Sequence, residues 1–247
     1  MVNADAAPPR VFRVSGLTKT YGSFAALSDV AFSVRPGEVL GVIGPNGAGK
    51  TTLFECLAGV LPCDRGTVTI DGRALTRREI AAEIFYVPDG IAPWPAQSVR
   101  WALDYVTGFF DGRADRRAEI ERQLGLTDLV AMPIGALSKG QRKRVAVALG
   151  LLTPQPVLLA DEPFDGLDLR QSREAAAALR AHAAAGRTLV LSIHQIADAA
   201  RVCDRFVLLS NGRVLGEGGL AELSALAAAR GVATSPQDLE EVFLALT

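Results

Sequence analysis

The sequence predicts an α/β protein organised around a buried parallel β-sheet, and three observations support this fold class. Continuous apolar runs such as VLLA (157–160) and TLVLSI (188–193) lack a polar face, as expected for strands covered on both sides. These runs alternate with longer segments of helical periodicity, which is the order of strands and crossover helices in a parallel sheet. In the first third of the chain, tight turns separate short apolar runs instead, which predicts short strands joined by turns.

The composition restricts the classes of protein to which the chain can belong. Its 247 residues are 49% hydrophobic but only 6% aromatic, which is sufficient for one large domain or two small ones with an aliphatic core. The net charge of −1 and the pI near 6.2 provide no basic field, so we predict no nucleic-acid partner. Cys56, Cys63 and Cys203 show no metal-type spacing and are predicted to be reduced thiols in a cytosolic protein.

No segment of the sequence predicts a signal peptide or a membrane span. The first ten residues (MVNADAAPPR) lack an apolar stretch and a cleavage site, and we interpret them as a disordered tail. No apolar run approaches the roughly 18 residues of a transmembrane helix. If the protein acts at a membrane, we therefore expect it to act through a partner.

The N-terminal third is predicted to contain four strands and one helix. Turn-forming dipeptides such as Pro36-Gly37 and Asp71-Gly72 separate the strands. The helix is expected to begin at Lys50 and to end near Ala58, because Gly59 follows. The predicted strands are 11–14, 29–34, 38–43 and 66–70.

From residue 98 to residue 152 the pattern is helical and contains no convincing strand. This block follows a proline-rich loop, and its character differs from that of the segments on either side. The chain then returns to alternating strands and helices, and two short helices are predicted from residue 219 onward. The predicted elements are strand 157–160, helix 170–184, strand 188–193, helix 195–202 and strand 205–210.

The most informative motif is GPNGAGKT, which lies between a predicted buried strand and a predicted helix. It fits the P-loop pattern G-x-x-x-x-G-K-[ST], in which glycines allow backbone N–H groups to turn around phosphate oxygens. The flanking strand and helix weigh against a chance glycine-rich turn. We predict that Lys50 reaches the β- and γ-phosphates and that Thr51 ligates Mg²⁺. The predicted nucleotide-binding residues here are Gly44, Pro45, Asn46, Gly47, Ala48, Gly49, Lys50, Thr51 and Thr52.

A second motif, VLLADEP (157–163), places two acids at the end of a predicted central strand. Asp161 fits the Mg²⁺-side aspartate of P-loop NTPases, and Glu162 is then positioned to activate a water molecule as general base. Strand ends often carry capping acids, so this pair depends on the preceding P-loop for its meaning. P-loop kinases are the main alternative within this superfamily, and they often lack the neighbouring glutamate.

The segment LSKGQRKR (137–144) combines a helix start with an excess of positive charge. Ser138 and Gln141 form a capping box, which predicts that the helix begins here. The helix macrodipole disfavours cations at this end, yet four are present: Lys139, Arg142, Lys143 and Arg144. Two interpretations remain open, which are a solvated basic face and an anion that docks at the helix end.

Asp89 lies in YVPDGIAPW (86–94), where a short apolar strand passes into a loop. Pro88 favours an extended conformation for Val87, so the carboxylate directly follows the strand end. One interpretation is an Asx turn that holds the loop. The other is a ligand or a base at the carboxyl end of a strand, where open α/β sheets bind their ligands.

With these motifs in this order, the chain resembles the ATP-binding subunit of an ABC transporter over about residues 11 to 220. LSKGQ (137–141) is similar to the LSGGQ signature of that family, with Lys139 at the position of the first glycine. The resemblance implies a P-loop NTPase (RecA-like) core with an antiparallel β subdomain and an inserted helical subdomain. It also implies two subunits that sandwich two ATP molecules. In that arrangement Ser138, Gly140 and Gln141 of one subunit close on the γ-phosphate bound by the other.

Further residues take their expected roles from the resemblance. Tyr21 matches the aromatic residue that stacks on adenine, with an ordinary loop tyrosine as the alternative. His194 matches the switch histidine that contacts the γ-phosphate, and residues 166–168 match the loop that communicates across the dimer. Asp89 falls where the family usually has a glutamine that touches Mg²⁺ and the attacking water. The chain departs from the family there and at Lys139, and neither departure removes a catalytic group.

The resemblance therefore implies ATP and Mg²⁺ as cofactors and two groups of site residues. The expected catalytic residues are Glu162, His194, Lys50 and Asp89, and the expected metal ligands are Thr51, Asp89 and Asp161. The expected organisation is a disordered tail (1–10), a nucleotide-binding core (11–88 and 153–218), a helical subdomain with the signature (89–152) and a C-terminal helical tail (219–247).

The C-terminal segment SPQDLEEVFLALT resembles the end of ATPases that serve ABC-2 type exporters, although LEEVFL also fits an ordinary amphipathic helix. We expect an ATPase at the inner face of the cell membrane that powers export through a separate integral membrane subunit. Its second subunit is expected to be another copy of itself or a paralogue. A soluble ATPase of translation or DNA repair is one alternative, and a regulatory ATP-binding module is the other. The chain lacks the tandem cassettes of the former, whereas Lys50, Glu162 and His194 disfavour the latter.

Overall fold

The computed structural model describes residues 11–110, 114–229 and 239–246. The tail expected at residues 1–10 lies outside the described residues, and so do residues 235–238 and 247 of the C-terminal motif. In the described ranges, no helix combines the length and the apolar character that a membrane span requires.

One of the two sheets is antiparallel, with strand order β2-β1-β4-β5. Strands β1 (Phe12–Tyr21) and β2 (Phe24–Val34) form a long hairpin. Strand β4 (Arg65–Ile70) pairs with the other edge of β1, and the short β5 (Arg73–Ala74) pairs with β4. The antiparallel β subdomain expected from the sequence is therefore present.

The hairpin is longer than the strands predicted at 11–14 and 29–34, which form only its base. Phe12 pairs with Val34 there, and the pairing continues to Tyr21 and Phe24 at the tip. The register shifts beyond Val14, and burial decreases toward the tip. Because this half of the hairpin lacks a continuous apolar face, hydrophobic alternation does not reveal it.

The second sheet has the order β10-β9-β3-β8-β7-β6, and all neighbouring pairs are parallel except β10 with β9. Strands β3, β7 and β8 are buried along their whole length, which confirms the predicted central sheet. The bounds are β3 (Val39–Ile43), β6 (Ile84–Val87), β7 (Val157–Asp161), β8 (Thr188–Ile193), β9 (Arg205–Ser210) and β10 (Arg213–Gly218).

Helices cover the second sheet and form the block predicted between residues 98 and 152. Helix α2 was not predicted from the sequence, although Thr76 and Glu79 form a capping box at its start. Short 3₁₀ helices at Thr127–Leu129 and Ile134–Ala136 precede the signature segment. The α-helices are α1 (Lys50–Leu57), α2 (Arg77–Glu83), α3 (Val99–Phe109), α4 (Ala114–Gln123), α5 (Lys139–Leu152), α6 (Leu169–Ala184), α7 (Ile196–Val202), α8 (Leu220–Ala229) and α9 (Leu239–Leu246).

The parallel sheet separates two hydrophobic cores because successive strand residues point to opposite faces. In β8, Leu189 and Leu191 belong to the core shared with α3, α5 and α6, whereas Val190 belongs to the core shared with α1 and the antiparallel sheet. Burial on both faces fixes β3, β7 and β8 firmly. Their carboxyl ends therefore form a rigid edge on which side chains can be placed.

Candidate functional site

A cavity of about 440 Å³ lies beside the carboxyl ends of β3 and β7, where the P-loop and Glu162 follow these strands. Ile43 at the end of β3 pairs with Ile193 of β8, and Asp161 at the end of β7 pairs with Ser192 of the same strand. The P-loop motif follows β3 directly. The cavity is lined by Tyr21, Phe24, Ala26, Pro45, Asn46, Gly47, Ala48, Gly49, Lys50, Thr51, Thr52, Asp89 and Glu162.

The P-loop wraps toward the start of α1 through glycines in the left-handed region. Gly47 has φ of 80° and Gly49 has φ of 105°, which other residues adopt only with strain. A Cβ atom at Gly49 would also lie 2.7 Å from the Ala26 carbonyl oxygen. No side chain caps the start of α1, so the N–H groups of its first turn remain available to an anion.

Lys50 is buried against the P-loop backbone. Its Nζ donates to the carbonyl oxygens of Gly44 at 2.7 Å and Pro45 at 3.3 Å, and lies 3.6 Å from Oε1 of Glu162. The ammonium group is thus placed between the loop and an acid at the end of β7. A phosphate in the cavity would offer it charged oxygen acceptors in place of neutral carbonyls.

Asp161 and Thr51 bring two oxygen ligands together at the base of the cavity. Thr51 Oγ1 donates to Asp161 Oδ2 at 2.8 Å, and Asp161 is 1% exposed. Hard oxygen donors of this kind suit Mg²⁺, which is usually held by one or two protein oxygens together with phosphate and water oxygens. Within the described residues there is no group of three or more His, Cys, Asp or Glu that could hold a metal ion alone. The Thr51 hydroxyl and the Asp161 carboxylate are oxygen donors of the kind that fits Mg²⁺.

Ser192 and Tyr86 complete the surroundings of Asp161, and the sequence analysis missed both. The buried Ser192 hydroxyl donates to Asp161 Oδ1, and the Tyr86 hydroxyl donates to Oδ2 at 3.4 Å. Burial raises the pKa of Tyr86, and the charge of Asp161 raises it further, so the phenol remains a donor. A polar residue inside the apolar run TLVLSI was the only pattern that could have drawn attention to Ser192.

Glu162 is held between a lysine and a histidine in an unusual backbone conformation. Its φ of 49° lies in the left-handed region, and its N–H donates to the Ser192 carbonyl at 3.2 Å and to the Ser192 hydroxyl at 2.9 Å. Its Oε2 accepts from the His194 backbone N–H at 3.1 Å and lies 2.6 Å from His194 Nδ1. With Lys50 near Oε1, the carboxylate is fixed from both sides.

Two exposed aromatic side chains stand at the mouth of the cavity. Tyr21 and Phe24 flank the turn of the β1–β2 hairpin and line the cavity together. Lys19 places its Nζ 5.5 Å from the centre of the Tyr21 ring. Phe24 was not singled out from the sequence. The pair provides flat faces on which a purine base can stack.

The signature segment forms the predicted capping box. Ser138 Oγ accepts from the Gln141 N–H at 3.3 Å, and Gln141 Oε1 accepts from the Ser138 N–H at 2.8 Å. A Cβ atom at Gly140 would lie 2.5 Å from the Gly166 carbonyl oxygen, so this position requires glycine. Ser138, Gly140 and Gln141 do not line the cavity formed by the P-loop of the same chain.

The interpretation of residues 139–144 as a solvated basic face is wrong for two of the four cations. Lys143 is 6% exposed, and Arg144 is similarly buried with its Nη1 donating to the carbonyl oxygens of Leu124 and Gly125 at 2.9 Å each. Lys139 is exposed and lies 2.6 Å from Asp165 Oδ2. This contact raises the pKa of Lys139 and lowers that of the Asp165 carboxyl.

Asp89 lines the cavity, but its side chain is held from outside its own loop. Asp89 Oδ1 lies 2.6 Å from Lys143 Nζ of α5. Within the part of the chain that the structure describes, no hydrogen bond joins this carboxylate to the loop backbone, which disfavours the Asx-turn interpretation.

The sequence and the fold are similar to those of known proteins. The family model described as ABC transporter matches residues 27–165. The chain is 36% identical over 226 residues to the hemin import ATP-binding protein HmuV of Thermobifida fusca, covering 84% of this chain and 76% of that protein. It is 33% identical over 222 residues to the Nod factor export ATP-binding protein I of Ralstonia nicotianae, covering 86% and 68%.

Solved structures show the same similarity. An ATP-binding subunit of an ABC transporter superposes with a TM-score of 0.83 at 27% identity, covering 96% of this chain and 99% of that chain. A dimeric ATP-binding cassette in a post-hydrolysis state bound to ADP and Pi superposes with a TM-score of 0.75 at 25% identity, covering 84% and 98%.

Proposed function

The chain belongs to the ABC transporter family, and we propose on that premise that it is the Mg²⁺-dependent ATPase subunit that powers export through a separate membrane-embedded partner. The observation that carries the ATPase function is the position of Glu162 between Lys50 and His194. This places a carboxylate, two potential cations and a metal-binding pair at one edge of a rigid sheet. The bounds of the nucleotide-binding core and of the helical subdomain (89–152) remain part of this proposal.

Different groups around the cavity bind the phosphates, hold the metal ion and activate the water molecule. The P-loop N–H groups and Lys50 bind the phosphates of ATP, and Lys50 exchanges its carbonyl partners for phosphate oxygens. Mg²⁺ held by Thr51 and Asp161 would neutralise charge on the β- and γ-phosphates. Glu162 orients a water molecule and takes its proton, and His194 keeps the carboxylate in place. Lys50 then remains beside the γ-phosphate as its charge develops.

A second subunit completes each site in this proposal. The signature helix start is capped by Ser138 and Gln141, and it lies outside the P-loop cavity of its own chain. The N-terminus of a helix attracts anions, so a γ-phosphate presented by another chain is a suitable ligand. The dimeric post-hydrolysis cassette supports such a pairing for the family.

The proposal of a membrane-embedded partner is supported by an exposed aromatic ridge, which consists of Trp94, Trp101, Tyr105 and Phe109. Trp101, Tyr105 and Phe109 follow one face of α3 at four-residue spacing, with ring centroids 5.1 Å and 6.2 Å apart. Trp94 lies 5.5 Å from Trp101 in the loop that begins at Asp89. Contiguous exposed apolar surface of this kind marks interaction sites, so we place the partner subunit here, at the inner face of the membrane.

For the direction of transport we propose export, on the basis of the C-terminal segment. Helix α9 forms from the LEEVFLAL part of that segment and packs through Leu239, Val242 and Leu246. The similar proteins include ones named for import and one named for export, so the proposal rests on this segment. The test is to reconstitute the complex in vesicles and to measure whether ATP drives export or uptake. ATP-driven uptake would contradict the proposal.

Glu162→Gln tests the ATPase proposal. We expect ATP to bind while hydrolysis falls by about 10²- to 10⁴-fold, the usual contribution of a general base. Unhydrolysed ATP should then favour the dimer in size-exclusion chromatography with Mg²⁺. Glu174→Gln is the matched control, because Glu174 pairs with Arg170 on α6, away from the cavity. Equal hydrolysis rates for both variants would contradict the role of Glu162.

A further inference from the structure

Lys143 joins three parts of the molecule that belong to different elements. It lies on α5, its Nζ is 2.6 Å from Asp89 Oδ1 in the loop after β6, and it is 3.4 Å from the Asp161 carbonyl oxygen at the end of β7. The side chain is buried. Sequence analysis treated this lysine only as one of four cations near a helix start.

Lys143 and Asp89 differ in burial, so the loss of this ion pair has a different free-energy cost for each of them. The Asp89 side chain is 42% exposed, so water can solvate the carboxylate if the lysine is removed. The Lys143 side chain is 6% exposed, and without Asp89 it would keep a long hydrogen bond to the Asp161 carbonyl and a weaker electrostatic interaction with the Asp165 carboxylate. An unpaired buried charge is unfavourable, so Lys143 depends on Asp89 more than Asp89 depends on Lys143.

The other ion pair of the same helix turn provides a comparison. Lys139 is 62% exposed and reaches Asp165 in the loop after β7. Exposed pairs contribute little because water competes for both charges. Lys139 can therefore exchange partners readily, whereas Lys143 stays with Asp89.

We propose that Lys143 is a positioning residue, which holds Asp89 at the nucleotide cavity and ties the signature helix to the metal side of the same site. The inference rests on the proposed function and on the expectation, taken from the family resemblance, that Asp89 faces Mg²⁺ and the attacking water. Lys143 binds Oδ1, and the described residues form no other hydrogen bond or ion pair with the carboxylate, so Oδ2 remains available to a ligand in the cavity that Asp89 lines. Because the buried lysine follows Asp89, a shift of this loop on nucleotide binding moves α5 with it.

Thermal melting of the nucleotide-free full-length chain tests the pair without any catalytic readout. Asp89→Ala should lower the melting temperature more than Lys143→Met, because it leaves a buried cation unpaired. In the Asp89→Ala background, Lys143→Met should raise the melting temperature, since it removes that unpaired charge. Lys139→Met removes the exposed pair of the same turn and should change the melting temperature least.

Other results of the melting experiment would overturn the proposal. Additive losses in the double variant would mean that Lys143 and Asp89 act independently. An Asp89→Ala variant that melts like the unmodified chain would mean that the buried Lys143 does not depend on this carboxylate. If Lys143→Met does not fold, Lys143→Arg serves instead, and it should retain the melting temperature by keeping a cation near Asp89.

The Mg²⁺ dependence of ATP binding, measured by calorimetry, tests the positioning role. Lys143→Met should raise the Mg²⁺ concentration required for tight binding by about 10- to 100-fold, as is typical when the partner of a metal ligand is lost. Lys143→Arg should retain most of the affinity, and Lys143→Met should have no further effect once Asp89 is alanine. Unchanged Mg²⁺ dependence in Lys143→Met would refute this role. If the unmodified chain binds ATP but does not hydrolyse it in the presence of Mg²⁺, the proposed function fails instead.

Discussion

Replacing Ser192 with alanine should remove the hydroxyl group that links Asp161 and Glu162 at the end of β7, and it leaves both acids in place. The Ser192 hydroxyl donates to Asp161 and accepts from the Glu162 N–H at 2.9 Å. Both Ser192 and Asp161 are buried, so water cannot replace the lost donor. The change therefore leaves a carboxylate oxygen short of a hydrogen bond inside the protein.

The structure limits the size of this effect. A buried acceptor that loses its partner costs about 1–3 kcal/mol. Asp161 Oδ2 keeps Thr51 and Tyr86, and the Glu162 N–H keeps the Ser192 carbonyl oxygen. We therefore expect the lower part of the range, about 1–2 kcal/mol. For a domain of this size, that loss lowers the melting temperature by about 2–8 °C.

Thermal melting and steady-state hydrolysis together check this prediction. Hydrolysis should fall by about 10- to 100-fold, because Asp161 and the backbone of Glu162 lose the group that orients both. Thr107→Val is the matched control, since it removes a buried hydroxyl that donates to the Leu103 carbonyl at 2.7 Å in α3. It should be destabilising without slowing hydrolysis. If Ser192→Ala melts earlier but hydrolyses ATP at the original rate, the hydroxyl has only a structural role.

The remaining predictions concern other parts of the site and its surroundings. Lys50→Ala should weaken nucleotide binding by about 10- to 150-fold in calorimetry, since a charge-assisted hydrogen bond is lost, and unchanged affinity would contradict this role. Ser138→Arg should retain ATP binding but abolish hydrolysis, whereas full activity would show that the signature does not approach ATP. Alanine at both Trp101 and Tyr105 should preserve ATP hydrolysis by the isolated chain, but the variant should no longer co-purify with a membrane subunit. Stability should be lost as the pH falls from about 6.5 to about 4, because burial and two nearby guanidinium groups lower the pKa of His182 to about 4, and His182→Gln should reduce this loss in pH-dependent melts.

Local motifs made much of the nucleotide site predictable. The P-loop, the acids at the end of β7 and the capping box at Ser138 each depend on a few neighbouring residues and on the type of element that flanks them. Buried strands such as β8 are likewise evident, because they are apolar on both faces. Once β7 is recognised as a buried strand, Asp161 and Glu162 are placed at its carboxyl end.

Contacts between distant segments were not predictable in this way. Ser192 hydrogen-bonds to residues 30 and 31 positions earlier, and Lys143 pairs with a residue 54 positions earlier. Nothing in the sequence near either residue identifies these partners, since the contacts exist only after β7 pairs with β8 and after α5 packs against the core. The outer half of the β1–β2 hairpin was missed for a related reason, because pairing rather than apolar alternation defines it.

The two departures from the family motifs show where sequence and fold must be combined. A carboxylate at position 89 adds negative charge beside a phosphate site, and Lys139 places a cation at the positive end of a helix dipole. Each substitution is unfavourable alone, which predicts a complementary charge nearby without identifying it. The fold provides Lys143 for Asp89 and Asp165 for Lys139. Their burial differs, so the first pair is suited to hold the cavity in shape. The exposed second pair is weaker, and in the proposed dimer its lysine would be able to exchange the carboxylate for a phosphate.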